Sequence, residues 1–478
     1  MNLTELTIRQ THEGLKKKQF SALEICRAYL DKIAKEDKKI NAFLTVTRES
    51  ALLQAKKIDE MILSGQEISL LAGIPLAIKD NILVKNVRCT AGSKILDNYI
   101  APYDATVIKK LQERGAVILG KTNLDEFAMG ASGENSAFGP TRNPHDLSRV
   151  PGGSSAGSVA AVAANMSCGA LGSDTGGSIR QPASLSGVVG LKPTYGAVSR
   201  YGLIALVCSF DQIGPITKTI EDAKILFEAI SGKDPLDSTS LEFKFQSSLP
   251  NFQIKEVCFG VPKEYFIEGI DPKVEEIIQK AIKKYEDLGA KIEEISLPHT
   301  KYAIATYYII TPSEVSANLA RYDGIKYGYS TIQSKKSKLK SLLNVYLESR
   351  GEGFGEEVRR RIMLGTYALS AGYYDAYYLK AQKFRTLIKE DFKKAFQKVD
   401  FILTPTSPTP AFKLGEKTED PLKMYLCDIF TSPVNLAGLP GISIPAGKKG
   451  NLPVGLQIIG KPFEEDKILQ VAQTFETI

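Results

Sequence analysis

The spacing of hydrophobic positions changes several times along the chain, and each change predicts an element. Over residues 1–60 the spacing is helical. Ser21 and Glu24 form a capping-box pair, and Ile25, Leu30 and Ile33 continue one apolar face. From Leu71 to Lys79 the period falls to two, with Ile74, Leu76 and Ile78 on one side and Pro75, Ala77 and Lys79 on the other. A short strand is expected there, its last lysine pointing inward. Asp104–Arg114 reads as a helix stopped by Gly115, and Ala116–Leu119 as a buried strand. Beyond about residue 250 the pattern carries more charge. Val257–Val261, Asp271–Gly289 and Ala290–Leu297 read as strand, helix and strand, a βαβ-like unit. Residues 300–400 are tyrosine-rich and mostly helical. Phe401–Pro405, Gly441–Pro445 and Val454–Gly460 return to strands before a closing helix. No fixed-period repeat interrupts this order. Strands alternating with helices at both ends of a more helical middle predict one α/β domain with an insertion.

Composition narrows the class. A hydrophobic content of 43% against 24% charged residues fits a soluble globular protein with a sizeable core. The net charge of +7 is too weak to point to nucleic acid. Six widely spaced cysteines without a CxxC pair exclude a disulfide scaffold and a structural zinc site, and predict buried free thiols in a reducing compartment. The polar start Leu3–Lys18 lacks the apolar core of a signal peptide, and Val159–Ala164 is far shorter than a bilayer span of about 20 residues. A cytoplasmic protein without a membrane segment is expected.

The chemistry concentrates between Pro151 and Pro193. Two Gly/Ser clusters, Gly152–Ser158 and Gly172–Ser178, flank an alanine-rich, helix-length stretch. Glycine lets the backbone approach a ligand closely, and serine supplies a nucleophile or proton relay. A flexible linker would not continue into Ile179-Arg180-Gln181-Pro182 and Val188-Val189. Two other motif matches fail on context. Gly115–Thr122 fits the P-loop pattern, but a helix precedes it and its four middle residues read as the strand itself, so ATP binding there is rejected. Gly153–Gly157 fits a nucleophile elbow with Ser155 as nucleophile, which requires a later histidine. Only His12, His145 and His299 exist, and His299, the one that follows, reads as a surface loop residue. A lysine kept neutral by burial is the remaining type of base, and Lys79 closes an apolar run.

Lys79 within Gly73–Asn81, the cluster Gly152–Ser155, and Gly172–Arg180 together resemble the amidase-signature hydrolases, and Gly187–Leu206 extends the likeness. Within that family the chain is most similar to the glutaminase subunits of tRNA-dependent amidotransferases, with echoes at Glu126–Gly130, Asn318–Gly328, Gly372–Tyr377 and Thr431–Pro440. The resemblance implies a mixed β-sheet covered by helices on both faces, formed as a single domain over 1–478. Its parts would be N-terminal helices (1–60), a catalytic core (61–250), a βαβ-like and helical region (251–400), and C-terminal strands with a helix (401–478). It implies Ser178 as nucleophile, Ser154 as bridging serine on a cis peptide, and Lys79 as base. Thr175, Gly176 and Gly177, with Ser178, would turn N–H groups toward the oxyanion, and Asp174 and Arg180 would brace that turn.

For glutamine, or asparagine as a second candidate, the resemblance implies Arg361 at the carboxylate, Asp428 at the ammonium and Gly130 nearby; Arg359 and Arg360 stay open as alternatives to Arg361. No metal or cofactor is implied in this chain. A tRNA-binding partner would use ATP and magnesium, and a small third subunit would complete a heterotrimer. One departure is His145, where relatives often carry tryptophan, a residue this chain lacks entirely. Two rivals remain: a stand-alone small-molecule amidase, and an RNA-binding scaffold using Lys335, Lys336, Lys338 and Lys340.

Overall fold

The computed structural model of the chain describes residues 2–242, 245–246, 252–266, 269–333 and 341–476. Among these residues eleven strands build one sheet: β1 (Phe43–Val46), β2 (Pro75–Lys79), β3 (Val117–Thr122), β4 (Gly169–Asp174), β5 (Val189–Lys192), β6 (Gln212–Thr217), β7 (Cys258–Pro262), β8 (Lys291–Ile295), β9 (Phe401–Pro405), β10 (Gly441–Lys449) and β11 (Leu452–Ile459). Their order is β1-β3-β2-β4-β6-β5-β10-β11-β9-β7-β8. The sheet is mixed. β2 runs parallel to both β3 and β4, while β4, β6, β5, β10, β11 and β9 alternate in direction. At the far edge β7 is parallel to β9 and β8. The helix Pro272–Asp287 joins β7 to β8, so the strand–helix–strand pattern read in 257–297 is a parallel βαβ unit.

Helices flank the sheet. Ala156–Ala163 packs on β2, β3 and β4, Ile220–Ile230 on β5 and β6, and Arg180–Ser186 on β5, β10 and β11. The strands β2, β3 and β4 are buried at every position, which accounts for their short, largely apolar sequences. In the tyrosine-rich middle, the helix Ala303–Asn318 packs on both Glu356–Ala368 and Lys380–Ala395. The lysines of 335–340 lie outside the described residues. Among the described residues no helix is long and apolar enough to cross a membrane.

The helical reading of residues 1–60 needs one correction. β1 interrupts it between the helices Ala22–Ile40 and Arg48–Leu63. Asn41 ends the first helix in the left-handed conformation (φ 59°), and the Asp37 carboxylate accepts the N–H groups of Ala42 and Phe43. The freed segment then pairs antiparallel with β3. The P-loop match at Gly115 resolves into a helix (Thr106–Glu113), a stop at Gly115 (φ +75°) and strand β3. Its Lys121 is buried, 2.9 Å from Asp80. Of the six cysteines, Cys26, Cys89, Cys168 and Cys427 are buried and Cys258 is partly covered. Cys208 departs from the expectation and is exposed.

Candidate active site

Because β2 and β4 are parallel, their C-terminal ends reach the same edge of the sheet, where open α/β folds place their ligands. Lys79 is the last residue of β2, and Ser173 lies near the end of β4. The Lys79 Nζ is 2.8 Å from Ser154 Oγ, 3.0 Å from Ser155 Oγ and 2.9 Å from Ser173 Oγ, with the Ser173 carbonyl at 3.2 Å. The side chain has no exposed surface. Burial lowers its pKa to about 7, against the pull of Asp125, Asp174 and Asp211, whose negative charges favour the ammonium. A neutral amine keeps one lone pair, so Lys79 can accept a serine proton while donating to the other serines.

Ser154 stands in the loop entering the helix Ala156–Ala163, and its peptide bond with Gly153 is cis. Glycine is required before it. A Cβ on Gly153 would lie 2.1 Å from Asp125 Oδ2. Asp125 accepts the N–H groups of Gly133 and Asn135 at 3.0 Å, and burial raises its carboxyl to about 6.

The second serine cluster forms the turn after β4. Asp174 collects the N–H of Gly177 at 2.8 Å, that of Ile179 at 3.1 Å, and the Arg180 guanidinium at 3.0 and 3.1 Å. Burial alone would raise this carboxyl, but the Arg180 guanidinium overrides it and holds it at about 2. The expected brace between Asp174 and Arg180 is thus a fully buried ion pair. It also claims the Gly177 N–H, which the glycine-rich turn was expected to offer to an oxyanion. Thr175, Gly176 and Ser178 are the N–H donors of the turn that Asp174 does not occupy. Thr175 Oγ1 donates to Asp211 Oδ1 at 2.6 Å, which holds the other end of the turn. Ser178 is buried, and its carbonyl accepts the Ser155 N–H at 3.1 Å, so the two serine clusters meet through the backbone.

A cavity of about 180 Å³ is lined by Gly130, Asn135, Arg360, Arg361, Lys417 and Tyr425, and none of Lys79, Ser154 and Ser178 lines it. Arg361 is buried on the helix Glu356–Ala368. Its Nε donates to Glu357 Oε1 at 2.8 Å, and its guanidinium lies 5.1 and 5.4 Å from the ring centroids of Tyr308 and Tyr425. Of the neighbouring arginines, Arg360 lines the same cavity, and Arg361 alone of the three is buried. Arg359 is exposed, and Arg360 pairs with Glu356 and Glu357. Asp428 is buried with no hydrogen-bond partner for Oδ1, which lies 3.2 Å from where a Cβ on Gly177 would stand. Burial, reinforced by Asp174, keeps its carboxyl well above the usual carboxylate range. A larger cavity of about 480 Å³, at Gln54, Lys57, Arg114 and Gly115, contains none of these residues.

His299 and His145 are engaged elsewhere. His299 Nδ1 is 2.9 Å from Asp391 Oδ1, and His145 Nε2 is 3.0 Å from the Ser186 carbonyl. In the sequence Ser155 reads only as an elbow nucleophile, and Ser173, Asp125, Asp211, Tyr308 and Glu357 do not stand out. Ser155 and Ser173 sit inside the two Gly/Ser clusters, so the clusters themselves are the available signal. Among the described residues, no group of three or more His, Cys, Asp and Glu side chains is placed to hold a metal ion.

The sequence profile of the Amidase family matches residues 24–469. The A subunit of the glutamyl-tRNA(Gln) amidotransferase of Carboxydothermus hydrogenoformans is 60% identical over 478 residues, covering 100% of this chain and 98% of that protein. The crystal structure of the corresponding A subunit from Thermotoga maritima superposes with a TM-score of 0.80 at 46% identity, over 99% of this chain and 94% of that one. The peptide amidase of Stenotrophomonas maltophilia gives the same TM-score of 0.80 at 28% identity, over 99% and 96%. Matched along nearly its whole length, the chain belongs to the amidase family and groups there with the glutamyl-tRNA(Gln) amidotransferase A subunits.

Proposed function

We propose that this chain is the glutamine-hydrolysing subunit of a tRNA-dependent amidotransferase. Neutral Lys79 takes the Ser154 proton as Ser154 takes that of Ser178, and Ser178 Oγ attacks the side-chain amide carbon of glutamine. Thr175, Gly176 and Ser178 offer N–H groups to the oxygen that gains charge. The tetrahedral adduct collapses as the relay returns a proton to the departing nitrogen, which leaves as ammonia. Water, activated by the same relay, then releases glutamate and restores Ser178. Arg361 holds the α-carboxylate; the α-ammonium, arriving beside Asp428, favours the charged form of that buried carboxyl and pairs with it, and together they place the amide end over Ser178. Ammonia passes to a partner subunit that binds misacylated Glu-tRNA(Gln), Asp-tRNA(Asn) or both and activates it with ATP and magnesium. A small third subunit completes a heterotrimer, and the complex works in the cytoplasm, where aminoacyl-tRNA is used.

The observation that carries the reading is that the site holds both a buried guanidinium, Arg361, and a buried carboxyl, Asp428, whose Oδ1 has no hydrogen-bond partner. A neutral amide needs neither charge; a free α-amino acid needs both. The second reading, a stand-alone amidase, draws on the equal TM-score of 0.80 to the peptide amidase. Ammonia release from glutamine and from simple aliphatic or aryl amides separates the two. Release from glutamine supports the amidotransferase reading; turnover of simple amides with none of glutamine overturns it.

A further inference from the structure

We propose that Glu126 is a positioning residue for glutamine, because its carboxylate holds the N-terminus of the helix that carries Arg361. The inference rests on the glutaminase reading above. That helix, Glu356–Ala368, begins after Gly355, whose lack of a side chain leaves the cap without its usual oxygen. Glu126, from a turn far earlier in the chain, accepts the cap residue's own N–H, as the third-position glutamate of a capping box would. Its Oε2 accepts the Gly355 N–H at 2.9 Å, and its Oε1 accepts the Ser93 hydroxyl, which also lies 3.3 Å from the Gly353 carbonyl. A negative group at a helix N-terminus is favoured by the helix dipole. The fit is tight, since a Cβ on Gly355 would stand 2.3 Å from Glu126 Oε2.

The turn that presents Glu126 is held in place by its surroundings. Phe127 and Ala128 occupy the left-handed region, at φ 47° and 61°, where residues other than glycine are strained. The Phe127 ring packs on Tyr322 and on Phe354, the residue before Gly355, with centroids 5.2 and 5.8 Å away. Adjacent acids on this turn reach opposite halves of the site. Asp125 abuts Gly153, and thus Ser154, and Glu126 reaches the Arg361 helix. Arg361 lies six residues beyond Gly355, roughly 9 Å along the helix axis. A shift of the helix start would therefore move the guanidinium relative to Ser178.

The test compares Glu126→Ala, Glu126→Gln and Gly355→Ala in the full-length chain, by glutamine kinetics and by the rate at which a fluorophosphonate probe labels Ser178. Glu126→Gln should stay near wild type, because the amide oxygen can still accept the Gly355 N–H while its NH₂ donates to Ser93. Glu126→Ala should raise the glutamine KM about tenfold or more with kcat within about twofold, and leave the labelling rate unchanged. Gly355→Ala, which displaces the carboxylate without removing it, should raise KM in the same way and decides the matter if Glu126→Ala does not fold. A wild-type KM in either alanine variant, or a labelling rate that falls in step with kcat, overturns the inference. A wild-type chain that is labelled but does not hydrolyse glutamine overturns the glutaminase reading itself, and the inference with it.

Discussion

Lys79 Nζ stands 2.8 Å from Ser154 Oγ, at a position where the lysine has no exposed surface. The distance makes proton transfer geometrically direct. The burial makes it chemically feasible, since it lowers the ammonium pKa from the ordinary 10.5 to about 7.

Lys79→Arg should be as inactive as Lys79→Ala. Arginine keeps a positive charge but cannot lose its proton at accessible pH, so a purely electrostatic role would survive the change and a base role would not. Ammonia release from glutamine should fall by about 10²–10⁴-fold in both variants. An active Lys79→Arg enzyme would exclude lysine as the base.

The pH dependence has a definite sign. The base works when Lys79 is neutral, so kcat/KM for glutamine should be low below about pH 7, rise through the lysine pKa and level off above it. Removing the negative charge of Asp211, as in Asp211→Asn, takes away one influence that favours the ammonium, and should move the rise to lower pH. A profile that falls with increasing pH through the neutral range would contradict the assignment.

Arg361→Ala and Asp428→Asn should act mainly on glutamine binding. Hydrogen bonds to charged groups contribute about 1.5–3 kcal/mol each, or roughly 10- to 100-fold in KM. Arg359→Ala, at an exposed position on the same helix, should leave KM unchanged. Steady-state glutamine kinetics on the three variants separate these outcomes.

Asp174→Ala should destabilise the fold as well as the turn. Removing one member of a buried ion pair leaves the other charge uncompensated, a loss of about 3–5 kcal/mol. Arg180 would keep Asn435 and Gln457 as hydrogen-bond partners but no counter-ion among them. Urea unfolding followed by circular dichroism checks this, and a midpoint equal to wild type would show that the pair is not a stability element.

Much of this architecture is legible in the residues. Gly115 marks the end of one helix, and the apolar run behind it marks β3, because a stop and a buried strand leave local signatures. β1 leaves none: four residues between two long helices are too few to establish a period, and their extended form comes from pairing with β3. The same division holds within the site. Lys79 stands out as a charge closing an apolar strand. Ser173, Asp125 and Asp211 do not, because their place around Lys79 arises only when β2 and β4 lie side by side. The choice among Arg359, Arg360 and Arg361 is equally hidden. It depends on the rotational phase of the helix, which turns Arg361 toward Tyr308 and Tyr425 and Arg359 toward solvent. The Gly177 N–H is the instructive case: its position on a glycine-rich turn suggests a free donor, yet the preceding Asp174 takes it.

The most direct test of the central claim is to trap the acyl-enzyme. The wild-type chain is mixed with isotopically labelled glutamine, quenched in acid within one turnover and digested, and the peptides are read by mass spectrometry. A γ-glutamyl ester on Ser178 is the predicted result; an ester on Ser154 or Ser155, or ammonia release with no ester formed, would contradict it.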